Sequence, residues 1–255
     1  MLLAIDIGNT HTVLGIFEDE QLRAHWRLSS QVMRTEDEIF LNVKLLAEHN
    51  GIATGKIHTI GISSVVPNLN VVYEMMSKKY FQKEPLLISA SLPLGIKIHY
   101  DDAMAVGADR ICNAVAAYKK YGGPLIIVDF GTAITYDIIA TNGDYLGGVI
   151  TAGIETASAE LHRRAAKLPK VELHFPTSVI CTNTVTSMQA GIMFGAIDSL
   201  EGMIRRIQQE IGAAKVIATG GYVAYLQQHT TVFYAIEPTL VLDGIRLIAT
   251  LISKN

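Results

Sequence analysis

The sequence predicts an α/β protein built from two related lobes. A polar turn between two apolar strands occurs at the start of the chain and again near its middle, and apolar strands alternate with helix-like stretches. The 255 residues, 49% of them hydrophobic, suffice for one large core or two smaller ones. We expect the lobes to span residues 1–114 and 115–255, each beginning with a β-hairpin.

The first polar turn carries more functional groups than a hairpin needs. Residues 2–5 and 13–17 are apolar and are typical of two short buried strands. A hairpin turn requires only one glycine or asparagine that accepts a positive φ. This turn also contains Asp6, Asn9, Thr10 and Thr12. The surplus indicates a binding function, and a polar hairpin without function is the alternative.

The same layout returns in the middle of the chain, where residues 125–148 repeat the pattern of the opening segment. A shift of 123 residues places Asp129 on Asp6, Gly131 on Gly8, Thr135 on Thr12 and Ile139 on Ile16. A period of half the chain is not the short period of a solenoid, and it indicates two related lobes. Chance is the alternative, because an apolar run followed by Asp-x-Gly is a short pattern.

The remaining elements extend the parallel between the halves. Residues 35–38 form a T-x-x-E capping box, which predicts a helix to about His49 that Gly51 ends. Apolar stretches at 56–66 and 215–223 are typical of strands that enter turns. Helical spacing predicts further helices from about 108 to 121, from 184 to 211 as one helix or two, and from 239 to 252.

Composition excludes several classes of protein. A net charge of −3 gives little attraction to a phosphate backbone, so we expect no nucleic-acid partner. No apolar run is long enough to span a membrane, and the first residues lack the basic patch of a signal peptide. Cys112 and Cys181 cannot form a disulfide framework, which favours reduced thiols in a cytoplasmic protein.

The two turns supply the groups that bind phosphates. Phosphates need backbone N–H groups that approach closely, which glycine permits, together with hydroxyl or amide donors. A magnesium ion held by carboxylates through water usually accompanies them. The chain contains neither a G-x-x-x-x-G-K-[ST] loop nor a G-x-G-x-x-G loop. The sequence therefore predicts that a nucleotide binds between the two turns, in a cleft between the lobes.

Four motifs carry a resemblance to a known family. D-x-G-N-T at Asp6, D-F-G-T-A at Asp129 and T-G-G at Thr219 resemble the phosphate 1, phosphate 2 and adenosine motifs of the actin-like ATPase and sugar kinase superfamily, whose lobes have a ribonuclease H-like fold. With V-G-A-D-R at residues 106–110, the whole chain resembles the type III pantothenate kinases.

This resemblance implies ATP-dependent phosphorylation of pantothenate, the first step of coenzyme A biosynthesis, with Mg²⁺ and a potassium or ammonium ion. It also implies a homodimer in which the partner subunit helps to close the acceptor pocket. The implied contacts of the ATP phosphates are Asp6, Ile7, Gly8, Asn9, Thr10, His11, Thr12, Val13 and Thr132. The implied substrate contacts are Tyr100, Gly107, Ala108, Asp109, Arg110 and Thr184, with Asp129 as ligand of the monovalent cation.

Asp109 has the chemistry of a general base, which is the role that the resemblance gives it. The acceptor is a primary alcohol that does not ionise at neutral pH, so a carboxylate within reach would accept its proton as the bond to phosphorus forms. Arg110 adds a positive charge that suits an acceptor carrying a carboxylate. The alternative for both residues is a helix N-terminus, where an acid favours the dipole. For Tyr100 and Thr184 the alternative is a solvated surface position.

Two other functions stay open at this stage. A different kinase or a phosphohydrolase can use the same scaffold, since a fold does not fix a substrate. A regulatory relative that acts on transcription would keep the fold but lose the base or present a basic surface. The presence of Asp109 and the net charge of −3 favour the enzyme.

Overall fold

The computed structural model describes residues 1–253 and contains two compact units, each with one five-stranded sheet. In chain order the strands are β1 (Leu2–Ile7), β2 (His11–Glu18), β3 (Gln21–Ser29), β4 (Thr59–Ser64), β5 (Leu86–Leu87), β6 (Leu125–Phe130), β7 (Ala133–Ile139), β8 (Tyr145–Ala152), β9 (Lys215–Thr219) and β10 (Ala235–Ile236). The α-helices are α1 (Glu36–His49), α2 (Pro67–Met76), α3 (Ala108–Tyr121), α4 (Ile154–Arg164), α5 (Thr184–Ile211), α6 (Val223–Leu226) and α7 (Leu240–Ile252).

The two sheets have the same topology. The strand order is β3-β2-β1-β4-β5 in the first unit and β8-β7-β6-β9-β10 in the second. In each, the central strand pairs antiparallel with the strand that follows it and parallel with a strand that returns after a helix. The strands therefore correspond one to one, which confirms the predicted α/β class and the predicted relation between the halves.

Helix α1 begins and ends as its sequence predicts. The Thr35 hydroxyl accepts a hydrogen bond from the Glu38 N–H at 3.3 Å, and the Glu38 carboxylate accepts one from the Thr35 N–H at 2.8 Å. This closes the capping box. At the other end, Gly51 adopts a φ of +69°, which favours glycine.

Helix α5 is one continuous helix of 28 residues. The Asn183 side chain caps it by accepting a hydrogen bond from the Thr186 N–H at 3.0 Å. Its apolar stripe, which includes Met188, Ile192 and Met193, lies in the hydrophobic core of the second unit. Within residues 1–253, no helix combines the length and the apolar character that crossing a membrane requires.

The last helix belongs to the first unit. That unit comprises residues 1–120 and the chain from residue 239, whereas the second unit comprises 121–238. Helix α7 packs on β1, β2 and β4, where a β-carbon at Gly61 would lie only 2.6 Å from Cγ2 of Ile245. The expected lobe of residues 115–255 differs from this division, because an amphipathic helix can cover either sheet and its pattern does not say which.

Helix α3 packs closely against α7. A β-carbon at Gly244 would lie 2.2 Å from the carbonyl oxygen of Cys112, so the backbones of α7 and α3 approach closely there. Most of α3, from Ala108 to Ala117, is buried or nearly so. The expected border at 114/115 falls inside this helix.

We predict that Gly244→Ala lowers the free energy of unfolding by about 1–3 kcal/mol, because the added methyl group overlaps a backbone carbonyl that cannot rotate away. Gly202→Ala is the matched control, since Gly202 is also inside a helix and its β-carbon would meet only Arg205, at 3.8 Å. The control should be neutral or more stable by up to about 1 kcal/mol. Urea unfolding of both variants measures the difference, and equal stabilities would contradict the close packing.

Candidate functional site

The turn between β1 and β2 exposes its polar tip. The Gly8 N–H donates to the His11 carbonyl at 3.0 Å and closes the turn. The side chains of Asn9 and His11 are exposed, and Thr10 is half-buried. A donor set of amide, imidazole and hydroxyl groups at an open turn fits a phosphate ligand.

Two of the predicted phosphate contacts have side chains that face the interior. Ile7 and Thr12 are fully buried, and the Thr12 hydroxyl is hydrogen-bonded to that of Ser30 at 2.8 Å. Val13 is half-buried on β2. Thr12 therefore ties β2 to the chain after β3, and any contact of Ile7 or Thr12 with a phosphate would run through the backbone.

Asp6 lies at the carboxyl end of β1, beside the parallel strand β4. It is in register with Val13 on one side and with Ser63 on the other. The Ser63 hydroxyl donates to Oδ1 of Asp6 at 2.8 Å. A hydrogen bond to a carboxylate favours its charged form and fixes its orientation.

Asp109 lies in the first turn of α3. Its Oδ1 accepts a hydrogen bond from the Arg110 N–H at 2.8 Å, and burial raises the pKa of its carboxyl group while Arg110 opposes the rise. A β-carbon at Gly107 would lie 2.4 Å from Oδ1 of Asp109, so a larger residue there would displace that carboxylate. Ala108 and Arg110 are both buried, with 6% of each exposed.

The first unit brings Asp6 and Asp109 into one neighbourhood around Cys112. Burial raises the pKa of the Cys112 thiol, and the negative charges of Asp6 and Asp109 raise it further. The fully buried thiol is therefore protonated and unreactive at neutral pH. Both carboxylates, which the sequence separates by more than a hundred residues, act on the same atom.

The other two predicted substrate contacts have exposed side chains. Tyr100 is 39% exposed in the loop before α3. Thr184 is exposed at the first turn of α5 in the second unit, where it lines a cavity of about 530 Å³ with Asn183 and Ser187. Each side chain is accessible, and the two belong to different units.

The turn between β6 and β7 is buttressed from two sides. The Thr132 side chain is exposed, while its carbonyl accepts hydrogen bonds from the Gly153 N–H at 3.0 Å and the Thr156 hydroxyl at 2.6 Å. Gly220 adopts a φ of +96°, and a β-carbon there would lie 2.5 Å from Oδ1 of Asp129. The T-G-G motif thus packs directly on the Asp129 carboxylate. Sequence reasoning missed Gly153 and Thr156, because no local pattern links them to a turn some twenty residues earlier.

The second turn is one residue shorter than the first. Ile7 pairs with Thr12 across the first hairpin, whereas Phe130 pairs with Ile134 across the second. The predicted match of Thr135 with Thr12 is therefore wrong by one position, because Thr135 pairs with Asp129 as Val13 pairs with Asp6. The match of Asp129 with Asp6 holds, because the two lie at the same place on the central strands.

No cluster of three or more His, Cys, Asp or Glu side chains that could hold a metal ion occurs within residues 1–253. Magnesium is commonly bound by one or two carboxylates together with phosphates and water, so this is compatible with a nucleotide-borne ion. Asp6 and Asp129, both partly exposed, are the oxygen donors that the turns offer.

Two units with matching sheets, each with an acid and a glycine at its first hairpin turn, define the actin-like ATPase and sugar kinase fold. The chain resembles a structure described as a Baf family transcriptional activator from Campylobacter jejuni, with a TM-score of 0.62, 20% identity and coverage of 99% of this chain and 100% of that one. It also resembles the activator of 2-hydroxyisocaproyl-CoA dehydratase from Clostridium difficile, with a TM-score of 0.55, 15% identity and coverage of 99% and 95%. The ethanolamine utilization protein EutJ from Carboxydothermus hydrogenoformans gives a TM-score of 0.54, 12% identity and coverage of 96% and 89%.

The family follows from the sequence itself. The model of the type III pantothenate kinase family matches residues 2–206. The chain therefore belongs to the type III pantothenate kinases, as its four motifs predict.

We predict that Asp109→Asn does not lower the stability of the protein at neutral pH. Burial raises the pKa of Asp109 above its usual 3.8. Between pH 3.8 and the raised pKa, the folded state therefore binds more protons than the unfolded state. The free energy of unfolding then falls as the pH rises through that window, and the wild type carries this cost at pH 7. Asparagine removes it.

Thermal unfolding from pH 3.5 to 7.5 tests this linkage. The variant should be at least as stable as the wild type at pH 7, and its advantage should shrink as the pH falls towards 3.8. The contrary result is a stability difference between variant and wild type that turns against the variant as the pH rises from 3.5 to 7. It would show that the surroundings stabilise the carboxylate.

Proposed function

We propose that the protein transfers the γ-phosphoryl group of ATP to the primary hydroxyl of pantothenate, giving 4′-phosphopantothenate and ADP in the first step of coenzyme A biosynthesis. The observation that carries the proposal is the position of Asp109. It is a half-buried carboxyl at the first turn of α3, with a pKa that desolvation raises, in a chain that belongs to this kinase family. A raised pKa makes a carboxylate a stronger base at neutral pH.

In this proposal Asp109 accepts the hydroxyl proton as the oxygen bonds to phosphorus and ADP leaves. A positioned general base of this kind typically contributes about 10²–10⁴ in rate. The acceptor is held beside Asp109 by Gly107, Ala108 and Arg110. The buried Arg110 supplies a positive charge to the site. Tyr100 and Thr184 contribute further contacts in this proposal, and both side chains are exposed.

The phosphates of ATP bind to the first turn in this proposal, at residues 6–13, with Thr132 added from the second unit. The exposed Asn9 and His11 side chains and the turn's glycine support this role. Asp6 holds Mg²⁺ through water, and Asp129 is the oxygen ligand of a potassium or ammonium ion. When bound, these cations neutralise the charge that develops on the transferred group.

We also propose that the active species is a homodimer whose acceptor site includes residues of both copies. The support for this assembly is the match to the type III pantothenate kinase family, whose resemblance implies a homodimer. The size of the protein in solution, measured with and without pantothenate, tests this assembly.

The activity is tested by coupling ADP release to pantothenate, first in sodium salts and then with potassium or ammonium. We expect pantothenate-dependent ADP release that rises severalfold when either of the latter ions is present. ATP without acceptor should yield no comparable release, which separates a kinase from a phosphohydrolase. An absence of pantothenate-dependent turnover in all three salts would refute the function.

We predict that Asp109→Asn lowers kcat by at least about 10², because the amide cannot accept the hydroxyl proton. Asp19→Asn is the control, since Asp19 is an exposed carboxylate of the same unit in a turn whose positive φ asparagine also tolerates. Steady-state kinetics and circular dichroism of both variants give the result. Near-normal turnover of the Asp109 variant would remove it from the role of base.

A further inference from the structure

A buried hydroxyl lies beside the phosphate-binding aspartate of the first unit. Ser63 is on β4, is completely buried and is directly in register with Asp6 on β1. Its hydroxyl donates to Oδ1 of Asp6 at 2.8 Å. Because residues in register on parallel strands point to the same face of a sheet, this contact is built into the strand pairing.

The same hydroxyl reaches the helix that carries the proposed base. Ser63 interacts with the thiol of Cys112, which lies on α3 three residues after Asp109. The Ser63 hydroxyl thus contacts both the Asp6 carboxylate, to which it donates, and the Cys112 sulfur. Ser63 therefore connects β1, β4 and α3 at the point where Asp6 and Asp109 come together.

The second unit has a hydroxyl at the corresponding position. Thr219 on β9 is in register with Asp129 on β6, as Ser63 is with Asp6. Only 3% of Thr219 is exposed. In both sheets, therefore, a buried hydroxyl residue on the parallel neighbour is in register with the aspartate of the central strand.

We propose that Ser63 is a positioning residue for phosphoryl transfer, which fixes the carboxylate of Asp6 relative to α3. The inference rests on the proposed kinase function, which it deepens. Ser63 does not touch the substrate in this role. It acts through Asp6, by holding that carboxylate in the orientation that receives the magnesium-bound phosphates.

Loss of the Ser63 hydroxyl should affect the nucleotide and not the acceptor. A carboxylate without this donor has one fewer bond to hold its rotamer, and a misplacement of about 1 Å can cost about 10²-fold in rate. Partners that orient a metal-binding carboxylate typically change affinity or activity by about 10–100-fold when removed. The binding of the acceptor, which depends on the V-G-A-D-R motif, should be left almost unchanged.

The test compares Ser63→Ala with Ser77→Ala. Ser77 is also a completely buried serine of the first unit, and its hydroxyl donates to the Lys83 carbonyl at 2.7 Å, away from the site. Calorimetry with a non-hydrolysable ATP analogue and Mg²⁺ should show binding about tenfold or more weaker in Ser63→Ala and unchanged in Ser77→Ala. Turnover should show the same loss in kcat/KM for ATP, with the KM for pantothenate within about twofold of the wild type.

A double-mutant cycle with Asp6→Asn separates positioning from packing. If Ser63 acts through Asp6, adding Ser63→Ala to Asp6→Asn should weaken nucleotide binding by far less than it does in the wild type. Additive effects, or Ser63→Ala with wild-type binding and kinetics, would overturn the inference while leaving the kinase function intact. A wild-type protein that binds no nucleotide would overturn both.

Ser63→Cys is the variant to use if Ser63→Ala fails to fold. It keeps the shape of the side chain and replaces the hydroxyl that donates to Asp6 by a weak thiol donor. It should therefore fold and should still weaken nucleotide binding by several-fold to about tenfold. A folded Ser63→Cys variant with wild-type nucleotide binding would contradict the positioning role.

Discussion

The parallel pairing of the central strand with the strand that returns after a helix is the constraint on which the site depends. It places Ser63 beside Asp6 and Thr219 beside Asp129, and it brings the ends of these strands to the same edge of each sheet as the hairpin turns. A hairpin alone leaves its acid on a solvated turn. In the first unit the parallel neighbour also gives Asp6 a hydrogen-bond donor, which fixes the direction of its carboxylate.

Asp109 shows how stability and chemistry oppose each other in this unit. Its burial raises its pKa, which costs folding free energy at neutral pH and supplies basicity at the same time. The protein can hold the carboxyl there because α3 is fixed by its neighbours. Gly244 lets α7 approach the backbone of α3 at Cys112, and Gly61 lets α7 approach the sheet. The two glycines therefore help to fix the position of Asp109, although neither belongs to one of the four sequence motifs.

The two halves of the chain share a sheet but differ in their turns. The first turn is one residue longer and presents Asn9 and His11 to solvent, whereas the second is shorter and is held by Gly153 and Thr156 through the Thr132 carbonyl. An open turn with side-chain donors suits phosphate binding, and a braced turn suits a fixed carboxylate at Asp129. The two units thus share a sheet topology and differ in how their hairpin turns are built.

The sequence by itself determined the elements whose causes are local: the α1 capping box, the two hairpins with their acids, the single motif around Asp109 and, through four motifs together, the family. Only the tertiary structure decided that α7 joins the first unit, that Thr12 turns inward to Ser30, and that Ser63 meets Asp6. The physical reason is the same in each case. These contacts join residues far apart in the chain, and an amphipathic helix or a buried hydroxyl carries no signal of which partner it will meet.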